Sequence, residues 1–266
     1  MKRINKLKSK LSIITVNYNN LEGLKKTIKS VRNQTFKAFE FLVIDGNSDD
    51  GSADYIKENE VYFDYWISEP DKGVYQAMNK GIEKATGEYL LFLNSGDHFY
   101  NDKVLEKNQE YINDSDIIYF DLEVVEGKKT FVKKYPDVLS FSYFVEDTLP
   151  HPATFIKKTA FLKTNLYKED FKIVSDWKFF IDAICKYNLS YKRVAKTLST
   201  FYIGGMSSNP ENRSVKFNEK SEVFNGAYSL FNQGVDDIIS YRKTINNLRA
   251  SRIIKLFIKL GVLNKF

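Results

Sequence analysis

The sequence predicts a mixed α/β fold, a mostly parallel β-sheet with helices on both faces, followed by a helical C-terminal extension. Three observations predict it. Short, nearly continuous apolar runs alternate with helical periodicity over the first hundred residues, the pattern of strands buried on both faces and separated by amphipathic helices. A polar loop follows each of these runs, so that the loops converge on one sheet edge, where ligands of such sheets bind. Residues 214–266 carry a helical pattern and, from Tyr241 onward, no acid.

The first run, LSIITV at 11–16, is β-branched and closed by Asn17 and Asn19, and Leu21, Leu24, Ile28 and Val31 then recur at helical spacing. FEFLVI at 39–44 is the second strand, followed by the polar turn at 45–52 and a short helix over 53–57. YWI at 65–67 is the third, ahead of EPDKG and a helix with Val74, Ala77, Met78, Ile82 and Ala85 on one face. YLLFL at 89–93 is the fourth and runs into Asn94-Ser-Gly-Asp97. From 100 to 210 the periodicity is mixed, with β-like stretches at 117–120, 154–156 and 191–194, and a helix starting near Ser175, whose hydroxyl is placed to cap it. The chain thus divides into a domain over 1–213, with halves at 11–100 and 101–213, and an extension over 214–266.

Length and composition agree. With 266 residues there is room for one sizeable α/β domain and an elaboration, and 43% apolar with 28% charged residues excludes a disordered chain. Seventeen Tyr and 21 Phe leave aromatic rings for clefts as well as core. The lone cysteine, Cys185, falls on the apolar helical face of Trp177, Phe180, Ile181 and Ile184 and reads as a small buried hydrophobe; no disulfide forms within the chain. No run of about 18 apolar residues occurs, which excludes a spanning helix, and the apolar stretch near the start is too short and β-branched for a secretory leader.

The net charge of +6 sits at the ends. Lys2, Arg3, Lys6, Lys8 and Lys10 lead, and Arg242, Lys243, Arg249, Arg252, Lys255, Lys259 and Lys265 trail; with these twelve set aside the rest carries −6. A negative body with basic ends excludes a nucleic-acid reader and fits an anionic membrane surface. RIIKLFIKL at 252–260 has the composition of an interfacial amphipathic helix, the competing reading being a helix packed on the body with its lysines in water. The expected location is cytoplasmic, peripheral on the inner face of the plasma membrane.

Carboxylates gather at the strand ends. Asp45 can accept an N–H from a pyrimidine, as less directly can Asp49 or Asp50, since Gly46 and Gly51 let the turn bend back; an Asp-Gly turn without a ligand is the alternative. Asp97 follows an apolar strand and a Ser-Gly pair, where glycine permits close approach of a diphosphate and the carboxylate can bind Mg²⁺ or Mn²⁺. Taken in order, SIITVNYNN at 12–20, VIDGNSDDGS at 43–52 and SEPDKGVYQAMNKGIEKATGEYLLFLNSGD at 68–97 closely resemble bacterial glycosyltransferases of family 2, which have the GT-A fold. The resemblance covers 11–100 strongly and 145–210 more weakly. SEPDKGVYQAMNKGI especially resembles enzymes that build exopolysaccharide, capsule or O-antigen units.

That resemblance implies a metal-dependent, inverting transferase with a nucleotide-binding half at 11–100 and an acceptor half at 101–213. The donor would be a nucleotide-diphosphate sugar, with uridine diphosphate expected, and the acceptor a saccharide or lipid-linked saccharide. Thr15, Asn17 and Tyr18 would line the nucleotide pocket, Asp45 would meet the base, and Asp71 and Lys72 would border the nucleotide or donor sugar, unless they serve only the turn before a helix. Ser95 and Gly96 would face the donor while Asp97 coordinates Mn²⁺ or Mg²⁺. Where the family often has Asp-x-Asp, this chain has Ser95-Gly96-Asp97, so one metal carboxylate is replaced by a hydroxyl. Inverting transfer needs a base that removes the acceptor proton as attack develops. Asp176 in VSDWK matches the family's base, with Trp177 bordering the acceptor; compensation of a helix dipole is the structural alternative. His151 stands where related enzymes have a histidine near metal or acceptor, or else packs a loop, and His98 reads as a solvent-facing turn residue. Gly204 and Gly205 resemble hinges of a mobile loop over the substrates.

Two other functions compete. A sugar nucleotidyltransferase shares the sheet and the metal-bound phosphates, but the glycine-rich basic loop that holds a triphosphate is missing near the first strand. A noncatalytic nucleotide-binding scaffold would lack the base or the metal carboxylate, yet Asp97 and Asp176 are both present. A P-loop kinase is excluded because no G-x-x-x-x-G-K-[S/T] occurs.

Overall fold

All seven residues of Leu11–Asn17 (β1) are buried, and because successive side chains of a strand point to opposite faces, the sheet is covered on both sides there. β1 pairs in parallel with Phe39–Asp45 (β2) and with Tyr89–Phe92 (β4), and β2 with Tyr65–Ser68 (β3), giving the order β3-β2-β1-β4. Parallel neighbours require crossovers, and these are Leu21–Asn33 (α1), Ser52–Glu58 (α2) and Val74–Lys84 (α3). Asn20 caps α1 by accepting from Gly23 N at 3.2 Å, and Leu24, Ile28 and Val31 are buried as their spacing predicts. The carboxyl ends of the four parallel strands therefore share one edge.

This computed structural model describes residues 10–232 and 234–264; Lys2, Arg3, Lys6, Lys8 and Lys265 of the basic ends lie outside the described residues. Beyond β4 come His98–Phe99 (β5), Val104–Asn108 (α4), Ile117–Glu126 (β6), Lys129–Lys133 (β7), Phe141–Glu146 (α5), Thr154–Lys157 (β8), Lys158–Thr164 (α6), Ser175–Ile181 (α7) and Tyr191–Tyr202 (β9). The same sheet continues β4-β8-β6-β9-β5, with β7 folded back on β6. β8 runs antiparallel to both β4 and β6, while β6 and β9 are parallel. β6 and β9 reach well past the apolar stretches that announce them. Their pairing shifts register around Asp121, where a buried carboxylate meets Arg193 at 3.0 Å and interrupts the apolar pattern.

Two local expectations are corrected. Ser175 does not cap α7; it is the first helical residue, and its hydroxyl accepts from Lys168 N at 2.6 Å, folding the preceding loop onto the helix. Cys185 is exposed. It sits in the π-helical turn Asp182–Lys186, whose wider winding breaks the 3.6-residue period and turns the thiol out of the apolar face.

The extension comprises Arg213–Gly226 (α8), Ser229–Asn232 (α9), Val235–Ala250 (α10) and Arg252–Lys259 (α11). Val223, Phe224 and Tyr228 enter the core, and the Phe141 ring packs on Phe224, Tyr228 and Phe231. Arg242 of α10 pairs with Glu146 at 2.8 Å. α11 buries no residue: Ile253 is 66% exposed and Leu256 54%. Ile254 and Ile258 are half-buried, and α11 touches α10. Among the described residues no helix is long and apolar enough to cross a membrane.

Candidate active site

Parallel pairing brings Asn17, Asp45 and Ser68 side by side at the ends of β1, β2 and β3. Asp45 is fully buried there, and its carboxylate accepts from Asn17 Nδ2 (2.7 Å), Ser48 N (2.9 Å), Ser48 Oγ (2.6 Å) and Ser68 Oγ (2.6 Å). Both Asp45 oxygens are thus engaged inside the protein. Thr15 is likewise fully buried, its hydroxyl donating to Leu93 O at 2.8 Å, so it joins β1 to the end of β4 and lines no pocket. Asp50 is occupied too, accepting from Leu21 N and Ser52 N. Asn17 is buried with its Oδ1 unpartnered. Tyr18 is 67% exposed. An oxygen of Asp71 and the Tyr18 ring both crowd Gly46, where a side chain would meet Asp71 Oδ2 at 2.8 Å and the ring at 3.1 Å. Asp71 uses its other oxygen to accept from Gly73 N, and exposed Lys72 donates its own N–H to Gln76. Asp49, in the turn itself, is exposed, and Asp71 is half-buried above it.

The loop after β4 is pinned to α1. Gly96 N donates to Thr27 Oγ1 (3.0 Å), the Thr27 hydroxyl reaches Asp97 O (2.6 Å), and Asn20 Nδ2 donates to Ser95 O (3.1 Å). Gly96 takes φ +105°, a conformation that favours glycine and that keeps the loop close to Asn20. No described residue hydrogen-bonds the Asp97 carboxylate. Burial pushes its pKa up to about 8, with Lys26 only partly opposing. Asn94 Oδ1 is buried nearby in the same loop without a partner. An unpaired, half-buried carboxylate suits a divalent cation, yet among the described residues no cluster of three His, Cys, Asp or Glu could enclose one. The donor set therefore fits a cation held by one carboxylate and completed by phosphate oxygens.

Ser95, Gly96 and Asp97 line a cavity of about 450 Å³ together with His151, Asp176, Gly204 and Gly205. Asp176 lies in the first turn of α7, and one of its oxygens is 2.9 Å from the Tyr75 hydroxyl, which also touches Ile173 O at 2.6 Å. His151 is buried, stacked 4.7 Å from the Phe92 ring, with Nε2 2.8 Å from the Tyr167 hydroxyl. Burial drives its pKa below the usual value, Asp176 opposing, so the ring is neutral. Its Nε2 is engaged by the Tyr167 hydroxyl. His98 is half-buried in β5 and bonds the Tyr202 hydroxyl at 3.1 Å, which corrects its reading as a solvent-facing turn residue. Trp177 is 2% exposed and its Nε1 donates to Phe144 O at 2.7 Å. It lines a second cavity, of about 360 Å³, that shares Asp176 and His151 with the first.

Several site residues carried no sequence signal. Tyr75 falls among the core positions of α3, and Asn20 looks like an ordinary cap. Glu219, in the extension, accepts from Lys172 N (2.6 Å), Ile173 N (3.1 Å) and Val174 N (3.1 Å) and so fixes the loop that presents Asp176. Nothing in the sequence ties its helix to residue 173.

Residues 12–171 match the model of a family described as glycosyl transferase family 2. A protein of Mycobacterium tuberculosis named as an uncharacterised glycosyltransferase is 35% identical over 178 residues, covering 65% of this chain and 68% of the relative. A PGL/p-HBAD biosynthesis glycosyltransferase of Mycobacterium bovis is 28% identical over 181 residues, covering 64% and 68%. Among solved structures, S. aureus TarS 1-349 in complex with UDP-GlcNAc has a TM-score of 0.63 at 19% identity, covering 81% of this chain and 67% of that one. Against the longer TarS structure this chain spans 37% of the length. The mannosyltransferase PcManGT from Pyrobaculum calidifontis, in complex with GDP-Man and Mn²⁺, has a TM-score of 0.56 at 10% identity, covering 94% and 83%. At such identities the structural likeness is one of fold.

Proposed function

We propose, since this chain belongs to glycosyl transferase family 2 and is a glycosyltransferase of the GT-A fold, that it moves a sugar with inversion from a nucleotide-diphosphate donor, UDP-linked by preference, to a saccharide or lipid-linked saccharide in cell-surface polysaccharide synthesis. The observation that carries this reading is the position of Asp176, a carboxylate on the wall common to two cavities, one of which also holds Asp97. Asp176 takes the proton of the acceptor hydroxyl as its oxygen attacks the anomeric carbon; the new glycosidic bond forms while the bond to the diphosphate breaks, and the electron pair leaves with the nucleotide. Tyr75 orients Asp176 through its hydroxyl. A divalent cation, when bound, offsets the charge developing on the leaving diphosphate, and Asp97 is the residue that would hold it. Asp71 and Tyr18 are the residues assigned to the base, in place of Asp45.

Isothermal titration with uridine, guanosine, thymidine and cytidine diphosphates, with and without Mn²⁺, tests the donor reading. One nucleotide should bind in a Mn²⁺-dependent way, and Asp97→Ala should weaken it about tenfold or more. Absence of binding to all four would replace the transferase with a scaffold.

A cytoplasmic membrane face is assigned to α11, which joins Arg252, Lys255 and Lys259 to uncovered Ile253, Leu256 and Phe257. Removing residues 252–266 should release the protein from phosphatidylserine vesicles, and undiminished binding would sink this assignment.

A further inference from the structure

The second cavity contains no residue of the Asn94–Asp97 loop, and its charges do not all find partners. Lys133 is paired with Asp147 at 2.8 Å, and Glu146 with Arg242 at 2.8 Å. Lys216 and Lys220, one turn apart on α8, have no carboxylate partner among the described residues. Like charges at this spacing destabilise a helix. Lys220 is moreover held down: its Nζ lies 4.5 Å from the centroid of the buried Trp177 ring, which is fixed by its own bond to Phe144 O. Burial and the neighbouring Lys216 push the Lys220 pKa down to about 8, with Asp147 and Asp176 pulling the other way. Two ammonium groups one turn apart on the wall of a cavity, one of them partly stripped of water, form a local positive pair that no carboxylate bridges directly. An anion would relieve both the repulsion and the desolvation. The remaining wall, with Leu122, Val124 and Phe131, is apolar and suits a carbon framework.

We infer that the second cavity is the acceptor subsite of the transfer proposed above, a reading on which this one rests, and that the acceptor carries a phosphate group which Lys216 and Lys220 bind while its hydroxyl reaches Asp176. Phosphate fits better than carboxylate because two adjacent point charges match a group that approaches a dianion at neutral pH. Trp177 is then a positioning residue, fixing Lys220 and touching no substrate. The phosphate can belong to a free sugar phosphate or to the diphosphate of a lipid carrier; the recognition chemistry is shared.

The test uses the full chain saturated with Mn²⁺ and UDP, or whichever of the four diphosphates binds tightest, so that the first cavity is taken. It is titrated with N-acetylglucosamine 1-phosphate, with N-acetylglucosamine linked to farnesyl diphosphate, and with neutral N-acetylglucosamine, while the Trp177 indole N–H is followed by NMR. Both phosphate compounds should bind and shift that signal, and the neutral sugar should not. Lys216→Gln, a change at an exposed position, and Lys220→Gln should each weaken binding about tenfold or more, Lys220→Arg should retain most of it, and nucleotide affinity should stay constant throughout. Binding of the phosphate compounds no tighter than the neutral sugar, or binding of the lipid-linked compound alone that Lys216→Gln leaves unchanged, overturns the phosphate site while the transferase reading stands on the nucleotide measured in the same samples. If no nucleotide binds, the transferase reading falls and takes this one with it.

Discussion

With both oxygens engaged by Asn17, Ser48 and Ser68, the Asp45 carboxylate ties the ends of three strands together and has no free lone pair directed at a ligand. Asp45→Ala should lower stability by about 3 kcal/mol by leaving several buried donors unpaired, whereas Asp71→Asn should change nucleotide affinity with the unfolding midpoint intact; denaturation and titration of the two variants separate these effects. Asp176→Asn should reduce kcat by about 10²- to 10⁴-fold with the nucleotide Kd unchanged, as loss of a general base does. His151 sets a pH limit. Its folded pKa lies below the ordinary 6.5, so the unfolded chain takes up a proton first; the stability it contributes is full above 6.5 and is lost as the pH falls through the folded value. Denaturant midpoints should therefore drop between pH 7.5 and 5.5, and less so in His151→Phe. At this scale the sequence shows which polar residues stand at the strand ends and not which way their side chains point. Asp45 and Thr15 stand at a strand end like site residues, but whether a polar side chain there points into the ligand or into its neighbours depends on partners such as Ser48 and Ser68, which periodicity does not reveal.

Among the elements, α8 has the most to do with chemistry. It supplies Glu219, which caps three consecutive backbone N–H groups beside Asp176, and both unpaired lysines. Glu219→Ala should cost about 2 kcal/mol or more in stability and lower kcat several-fold while leaving nucleotide binding in place, because the donor loop is held independently by Thr27 and Asn20. A drop in nucleotide affinity of the same size as the drop in kcat would argue against that division. The first four strands were legible because each is a nearly continuous apolar run; β6 and β9 were only half legible, since β6 carries the buried Asp121 and charged residues in its outer half and β9 buries the polar Ser199 and Thr200. α11 was legible as amphipathic, but which of its apolar residues are covered depends on contacts that periodicity does not show: Ile254 and Ile258 are half-buried while Ile253, Leu256 and Phe257 are exposed.

At the scale of the molecule, one sheet runs from the parallel first half into the mixed second half through β8, the strand whose reversed direction joins β4 to β6. The order β3-β2-β1-β4 follows from four apolar runs with helical crossovers, so the first half was recoverable from pattern alone. The second half was not, because its pairings are long-range and partly antiparallel, and nothing local distinguishes a strand that adds beside β4 from one that adds at the far edge. Phe201, near the end of β9, and Ile203 and Ser207, just after it, border both cavities at once. A common wall cannot settle around one substrate without reshaping the room left for the other, and that has a kinetic reading: substrates should enter in compulsory sequence, donor before acceptor, with the nucleotide departing last. Initial-rate measurements should then find the nucleoside diphosphate competitive against the sugar donor and noncompetitive against the acceptor, whereas a random order of addition would make the two halves of the molecule kinetically independent despite their shared partition.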